Sequence, residues 1–317
     1  MSKRLITLFV MLIITFSNIE ANSLLDEKFY TSIILNGFIG TLSEGINLYN
    51  PAAFEENFKS YKASIYLTNY SLGRYDNGFL IKIKGKKLLG QISFFTRGIE
   101  SFDVYDINEN IIGQSYEVAY LFVPSIGFMK RKFYKNYTLI FGMGLKLLKI
   151  YIKVPKETSV EGAFNNNLFN GITTGLLIYN NRQEFSIGLN NIFSEIKWNI
   201  SLVENTQDNS LNSEEYEEEQ RLICSIAYSY KFKYIKISDG VDFNITDTTI
   251  TNNIGLKFLI NNYFNIYAGT DLKGKYSTGI KIILPNKKDN NSIEINLVIF
   301  KDFASYTNYS ASLVFYK

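Results

Sequence analysis

The 317-residue chain carries a net charge of +3, contains no histidine, and has 23 tyrosines and 25 phenylalanines but only four prolines. Its 46% hydrophobic content excludes a disordered chain, and its balanced charge excludes nucleic-acid binding by bulk electrostatics. Without histidine, Ser-His-Asp and Cys-His catalysis and the usual zinc sites are excluded. We therefore predict that the protein is not an enzyme and has no catalytic residues, no metal site and no cofactor.

The first residues have the anatomy of a secretory signal. Met1–Arg4 is basic, Leu5 to Phe16 is apolar, and the small residue Ala21 precedes Asn22. The alternative, a transmembrane anchor, is disfavoured because an apolar run of about twelve residues is too short to span a bilayer as a helix. We predict a cleaved signal peptide over residues 1–21 and export to the outer membrane of a Gram-negative-type bacterium.

From about Ser60 onward, short segments alternate with a period of two. Within 139–147 the odd positions are Leu, Phe, Met, Leu and Leu, whereas the even positions are Ile, Gly, Gly and Lys. Within 292–299 every odd position is Ile or Leu, whereas the even positions include Glu294 and Asn296. Such alternation predicts β-strands with one apolar face and one largely polar face.

Two architectures fit strands of this kind. A soluble sandwich hides the apolar faces in a core, whereas a membrane barrel turns them toward lipid and keeps a polar lumen. Small and charged residues on the second face, and connections that alternate between tight and long, favour the barrel. The predicted fold class is all-β, a transmembrane antiparallel β-barrel of about fourteen strands over residues 60–317.

The strands are predicted near 60–70, 76–86, 88–97, 115–129, 137–153, 167–179, 183–190, 221–230, 233–243, 251–260, 262–271, 275–284, 291–300 and 306–316. Long loops are predicted at Gly98–Ser115, Pro155–Asn166 and Asn191–Gln220. The tight turns are basic and the long loops carry acid, most densely from Glu214 to Glu219. Ordinary solvated ends explain that distribution, and a cation-binding loop is the alternative.

The segment before the first strand has a different character. Several glycines precede the run Asn50-Pro51-Ala52, which stands directly ahead of the barrel. In this feature the chain resembles the outer-membrane superfamily that contains FadL-type transporters and PorV/PorQ proteins, whose Gly-rich N-terminal stretch ends in an Asn-Pro-Ala motif. The resemblance extends through Gly188–Phe193 and the last strands. It departs at Ala53, where many relatives have glycine, and at the terminal Lys317.

The resemblance implies a fourteen-stranded barrel with residues 22–59 folded into its lumen as a hatch or plug. Asn50, Pro51, Ala52 and Phe54 are then the candidate gating or ligand-binding residues. The implied function is passive uptake of hydrophobic small molecules such as long-chain fatty acids. Pro124 falls inside a predicted strand, where it removes a ladder hydrogen bond; it marks either a lateral opening in the wall or an ordinary bulge.

Two other functions fit the sequence. A PorV-like barrel would bind partner proteins in secretion or surface attachment through the loops 98–115 and 191–220. Trp198 is the candidate anchor of that surface, although it fits an interfacial aromatic girdle equally well. The third function is a structural barrel without cargo. The predicted partners are therefore outer-membrane lipids, hydrophobic small molecules and secretion-system proteins.

Overall fold

The computed structural model describes residues 39–46, 48–54, 60–70, 74–105, 111–153, 160–165, 167–202, 212–272, 274–286, 291–301 and 307–317. The predicted signal peptide, residues 1–21, lies outside the described residues, as does the first part of the predicted hatch. No helix within the described ranges is long and apolar enough to cross a membrane.

The described residues form seventeen strands. Their bounds are β1 (Tyr61–Asn69), β2 (Arg74–Lys84), β3 (Leu88–Tyr105), β4 (Ile111–Tyr134), β5 (Tyr137–Lys153), β6 (Val160–Asn165), β7 (Phe169–Tyr179), β8 (Gln183–Ile192), β9 (Glu195–Leu202), β10 (Asn212–Glu219), β11 (Ile223–Lys231), β12 (Ile235–Asn244), β13 (Ile250–Leu259), β14 (Phe264–Thr270), β15 (Tyr276–Asn286), β16 (Asn291–Lys301) and β17 (Thr307–Tyr316).

Fourteen of these strands close into a ring in which every pairing is antiparallel. The ring runs from β1 through β5, continues with β7, β8 and β11 to β17, and returns to β1, where Ser64 is paired with Val314. Each ring strand coincides with one of the fourteen predicted segments. The predicted antiparallel barrel of about fourteen strands is therefore confirmed.

The two faces of the wall differ as the alternation predicts. On β5, Phe141 and Met143 are exposed on the outside, whereas Gly142, Gly144 and Lys146 are buried on the inside. The same contrast holds on β16, β17 and β2. A continuous belt of exposed apolar side chains around a closed barrel is stable against lipid and unstable against water. The wall is thus that of a transmembrane barrel.

Tight turns gather at one end of the barrel, which we call the short-turn end. They lie at 85–87, 135–136, 180–182, 232–234 and 260–263, and the first and last wall strands begin and end there. The opposite end is called the long-loop end. In outer-membrane barrels the short turns face the periplasm.

The three predicted long loops are wrong in part. Within Gly98–Ser115, β3 and β4 continue to pair; Pro155–Asn166 contains β6; and Asn191–Gln220 contains β9 and β10. The strongly acidic run lies in β10, with the sequence Asn-Ser-Glu-Glu-Tyr-Glu-Glu-Glu. Main-chain pairing beyond the membrane needs no apolar face, and so these strands lack the alternation that identified the others.

A pair of matched substitutions tests which surface contacts lipid. Leu297 lies near the middle of β16 and Leu284 near the short-turn end of β15, and their side chains are similarly exposed (46% and 49%). We expect Leu297→Lys to lower the free energy of unfolding by about 2–4 kcal/mol, and Leu284→Lys by about 0–1 kcal/mol. Denaturant unfolding of the barrel in lipid vesicles measures both; equal losses contradict a membrane-centred belt.

Candidate functional site

A segment inside the barrel, residues 39–46 and 48–54, carries the Asn-Pro-Ala run. We call it the luminal segment. All but two of its described residues, Glu44 and Leu48, are buried. Its main chain turns back on itself: Gly45 N donates to Leu42 O (2.8 Å), and Asn50 N donates to Ile46 O (3.0 Å).

Asn50 fixes the fold of the luminal segment and joins it to the wall. Its side chain is fully buried, and Nδ2 donates to Thr41 O (2.7 Å) and to Leu176 O on β7 (3.3 Å). Its Oδ1 accepts a hydrogen bond from Ala52 N (2.8 Å), an Asx turn that holds Pro51 between them. One amide side chain thus forms hydrogen bonds with the main chain at two other points of the luminal segment and with one wall strand.

The main chain around Asn50 lies directly on a row of glycines. Gly142 on β5 pairs with Gly175 on β7, which pairs with Gly188 on β8. A Cβ at Gly142 would overlap Pro51, one at Gly175 would overlap the Asn50 side chain, and one at Gly188 would overlap Tyr49 O. Only glycine lets a main chain approach a sheet this closely. We call these three residues the glycine row.

Lys82, on β2, holds the luminal segment from another direction. Its side chain is 1% exposed, and Nζ donates to Gly45 O (2.8 Å) and to Ala53 O (2.6 Å). The same ammonium lies 5.7 Å from the centroid of the Phe54 ring. Two carbonyl groups that are shielded from bulk water therefore accept hydrogen bonds from a charged donor inside the barrel.

An ion pair and a hydrogen bond attach the luminal segment near the short-turn end. Lys257 on β13 lies 2.9 Å from Glu44 Oε1, and Ser43 Oγ donates to Glu184 Oε1 (2.9 Å). Burial raises the pKa of Glu44, but the ammonium groups of Lys257, Lys281 and Lys236 outweigh that effect and hold the pKa well below its usual range. Glu44 is thus an ionised carboxylate whose side chain is only 11% exposed.

An apolar chamber lies on the long-loop side of the luminal segment. Ile46 and Tyr49 of the segment pack against Tyr66, Phe95 and Val123 of the wall. The cavity left among these side chains is about 30 Å³, and an ion pair between Arg97 and Asp76 (2.9 Å) lines it. In this conformation the chamber is filled by protein side chains.

Four neighbouring wall strands are irregular at one level, close to this chamber. Pro124 on β4 pairs with the outward-facing Ile92 of β3, but the β4–β5 ladder is interrupted beside it. The β5–β7 register shifts at Lys146, whose ammonium donates to Asn191 Oδ1, and the β7–β8 register shifts as well. Gly171 (φ 107°) and Asn191 (φ 61°) have left-handed backbones here.

Toward the long-loop end, three other strands continue the wall beyond this level. β6 pairs with β5, β9 with β6, and β10 with β9, in place of β7, β8 and β11. The chain passes from β8 to β9 through Phe193, which is 83% exposed. The main-chain ladder is consequently broken along one line across the wall. We call this line the seam; it comprises residues 145–146, 167–173, 190–195 and 220–222.

Side chains take the place of the ladder at the seam. Ser194 Oγ donates to Asn170 O (2.6 Å), and Asn170 Nδ2 donates to Glu195 O (3.3 Å). Asn191 Nδ2 donates to Arg221 O (2.8 Å). Such bonds are made by rotatable side chains, so they can be exchanged without unfolding a strand.

No protein-family model matches the sequence, and no curated protein sequence matches it. Solved structures share the fold, and three of them are named here. They are the Ralstonia pickettii toluene transporter TbuX (TM-score 0.57, 10% identity, 91% of this chain and 97% of that chain), the P. putida toluene transporter TodX (0.55, 11%, 92% and 99%) and a Pseudomonas aeruginosa FadL homologue (0.51, 10%, 90% and 96%). The chain has a FadL-like fold. The PorV/PorQ part of the resemblance stays a prediction.

The FadL-like barrel brings Asn50, Pro51, Ala52 and Phe54 together inside the lumen, where all four are buried. Pro124 lies in the wall at one end of the seam. The gating or ligand-binding roles of these residues, and the role of Pro124 as a lateral opening, stay predictions.

Trp198 lies apart from the other predicted site residues. On β9 it pairs with Tyr216 of β10, and its half-buried ring packs against the cluster of Ala119, Leu148 and Ile150. Ala119, Leu148 and Ile150 all belong to the buried faces of β4 and β5. The role of Trp198 as an anchor for partner proteins stays a prediction.

Sequence reasoning missed the glycine row and Lys82 as contacts of the luminal segment. Gly142 and Lys82 were assigned to the inner face, but their common partner was not. The signal in the sequence is that each of three successive predicted strands contains glycine, which is otherwise uncommon within a strand.

The glycine row yields a test with a matched control. We expect Gly142→Ala and Gly175→Ala each to cost about 1–3 kcal/mol of stability, because the added methyl displaces the luminal segment. Gly127 pairs with Gly142 in the same line of the sheet, but a Cβ there meets only ordinary contacts of 3.4 Å or more. Gly127→Ala is the control.

Two quantities are measured for each variant. They are the amide hydrogen-exchange rate of the peptide that contains residues 39–54 and the free energy of unfolding. We expect faster exchange in the Gly142 and Gly175 variants and wild-type exchange in the Gly127 variant. Equal exchange in all three variants would show that the luminal segment does not rest on the glycine row.

Proposed function

We propose that this protein is a passive outer-membrane channel for hydrophobic small molecules such as long-chain fatty acids. In this proposal the luminal segment is the hatch, the apolar chamber receives the molecule, and the seam is the lateral opening in the wall. The two toluene transporters and the FadL homologue share the fold, and uptake of hydrophobic compounds is consistent with that likeness.

One observation carries the proposal: the apolar chamber adjoins the irregular part of the wall. Val123 is fully buried in the chamber cluster with Ile46 and Tyr49, and the next residue, Pro124, marks the interruption of the β4–β5 ladder. A hydrophobic molecule that leaves the chamber sideways meets the place where the fewest ladder hydrogen bonds must break. That path also keeps an apolar molecule out of water.

The hatch must move for the chamber to enlarge. Its attachments are the glycine row, the Lys82 ammonium and the ion pair of Glu44 with Lys257, and most of them are polar contacts within a polar lumen. Polar groups released by a moving hatch can be solvated by water in the lumen. Gating therefore requires no unfolding of the barrel wall.

Pro124→Val tests the lateral opening. Valine restores an N–H at this position, and one additional ladder hydrogen bond of about 1 kcal/mol lowers the population of an opened wall about fivefold. We expect uptake of labelled oleate by cells that produce the variant to fall several-fold relative to the wild type, at equal amounts of folded barrel.

Pro285→Val is the matched control, because Pro285 also lies in a wall strand but at the short-turn end of β15. It should leave oleate uptake unchanged. Wild-type oleate uptake by the Pro124 variant would contradict a lateral opening at this position. The proposed function as a whole would be contradicted if cells took up no more oleate with the wild-type barrel than without it.

A further inference from the structure

The hairpin that joins β4 to β5 projects from the short-turn end of the barrel. β3 begins opposite Phe128 and β7 ends opposite Thr138, so the chain between these two residues extends past both neighbouring strands. Within it, β4 and β5 stay paired as far as Tyr134 and Tyr137. We call residues 130–137 the basic hairpin. It lies where the wall leaves the membrane on the periplasmic side.

Six cations and no acidic residue lie in the basic hairpin and the β2–β3 turn, residues 85–87. The hairpin adjoins this turn, because Met129 N donates to Lys87 O (2.7 Å). All six cationic side chains are exposed; they are Lys86, Lys87, Lys130, Arg131, Lys132 and Lys135. Like charges this close repel one another, and a layer of negative charge at their level relieves the repulsion.

Aromatic rings of the basic hairpin are exposed as well, with Phe133 at 48% and Tyr134 at 62%. The ammonium of Lys130 lies 5.7 Å from the centroid of the Phe133 ring, and that of Lys135 lies 5.3 Å from the centroid of the Tyr134 ring. Phe128, two residues nearer the middle of the wall than Lys130, is 55% exposed in the lipid-facing belt. Rings beside the belt and cations just beyond it are typical of a membrane interface.

We propose that the basic hairpin and the β2–β3 turn bind anionic phospholipids of the periplasmic leaflet. The phosphate groups of the lipid heads accept hydrogen bonds from the ammonium and guanidinium groups, and the first carbons of the acyl chains cover the two rings. This lipid site lies on the outside of the barrel and goes beyond the proposed uptake, because a lipid bound from the surrounding leaflet is not a transported molecule.

The combination of cations and rings favours an anionic lipid over other occupants. A soluble anion neutralises the cations but leaves Phe133 and Tyr134 in water, which is unfavourable for the apolar part of each ring. A zwitterionic lipid covers the rings but brings no net negative charge. An anionic lipid does both, and lipid head groups already surround the wall at this level.

Native mass spectrometry of the purified full-length barrel in a non-ionic detergent measures the affinity for the first bound lipid. The probes are phosphatidylglycerol, which is anionic, and phosphatidylethanolamine, which is zwitterionic. For Lys130→Gln with Lys135→Gln, we expect phosphatidylglycerol to bind about tenfold more weakly, because two cations next to the phosphate are lost. Phosphatidylethanolamine should bind with unchanged affinity, which also shows that the variant is folded.

The matched control is Lys149→Gln with Lys153→Gln. These two lysines also lie over tyrosine rings, at 5.6 Å and 6.0 Å, but toward the long-loop end of β5. The control should bind both lipids like the wild type. A third variant, Phe133→Ser with Tyr134→Ser, removes the rings; we expect it to weaken the binding of both lipids severalfold and to keep the preference for phosphatidylglycerol.

The lipid site is overturned if the wild type binds the two lipids equally, or if the Lys130 and Lys135 variant loses no more affinity for phosphatidylglycerol than the control. A soluble hexapeptide of glutamate is the probe for an acidic protein. If it binds as tightly as phosphatidylglycerol and loses affinity in the same variant, the occupant is a protein and the lipid site is wrong. Oleate uptake by the wild type tests the proposed function separately.

Discussion

The close approach of one main-chain segment to a row of three glycines is the constraint on which the lumen of this barrel depends. A ring of fourteen strands encloses more space than inward side chains fill. Gly142, Gly175 and Gly188 leave a shallow groove in the wall, and the chain from Tyr49 to Ala52 lies in it. A single Cβ in this row pushes the segment toward the middle of the lumen. The remaining contacts of the luminal segment are set by that placement.

Placing a main chain inside a barrel moves its carbonyls and amides out of bulk water, and each then needs a partner. Backbone hydrogen bonds within the segment supply some of these partners, and the side chains of Asn50 and Lys82 supply four more, with Lys82 reaching two carbonyls at once. The charges that remain are concentrated toward the short-turn end, around Glu44. The apolar residues of the segment point to the other side, where they close the chamber beneath Val123. One segment therefore separates a mainly apolar part of the lumen, which also holds the Arg97–Asp76 ion pair, from a part rich in lysine.

The wall was predictable from the sequence, whereas the contacts across it were not. Lipid outside and a polar lumen inside impose a period of two on each strand, so fourteen strands could be predicted from residues such as Phe141 and Gly142. β10 could not, because the run around Glu217 lies in a strand without an apolar face. Asn50-Pro51-Ala52 was identified by resemblance and Pro124 by its missing N–H.

The glycine row and the seam depend on register, which is a property of several strands at once. Gly142 and Gly188 are separated by more than forty residues in the chain, and they lie in one line only because the β5–β7 and β7–β8 ladders align them. The side chains of Asn170, Asn191 and Ser194 have no pattern that distinguishes them from other polar residues of the chain. Their role follows from the strand ends that they join.

Burial of the luminal segment is tested most directly by cysteine labelling at two positions that carry small hydroxyl side chains. Thr41, next to Gly188, is 1% exposed, whereas Ser60 is exposed just ahead of β1. In a chain whose only native cysteine, Cys224, is replaced by serine, Thr41→Cys should react with a water-soluble maleimide far more slowly than Ser60→Cys, and equally fast after unfolding. Equal rates in the folded barrel would contradict a segment seated on the glycine row.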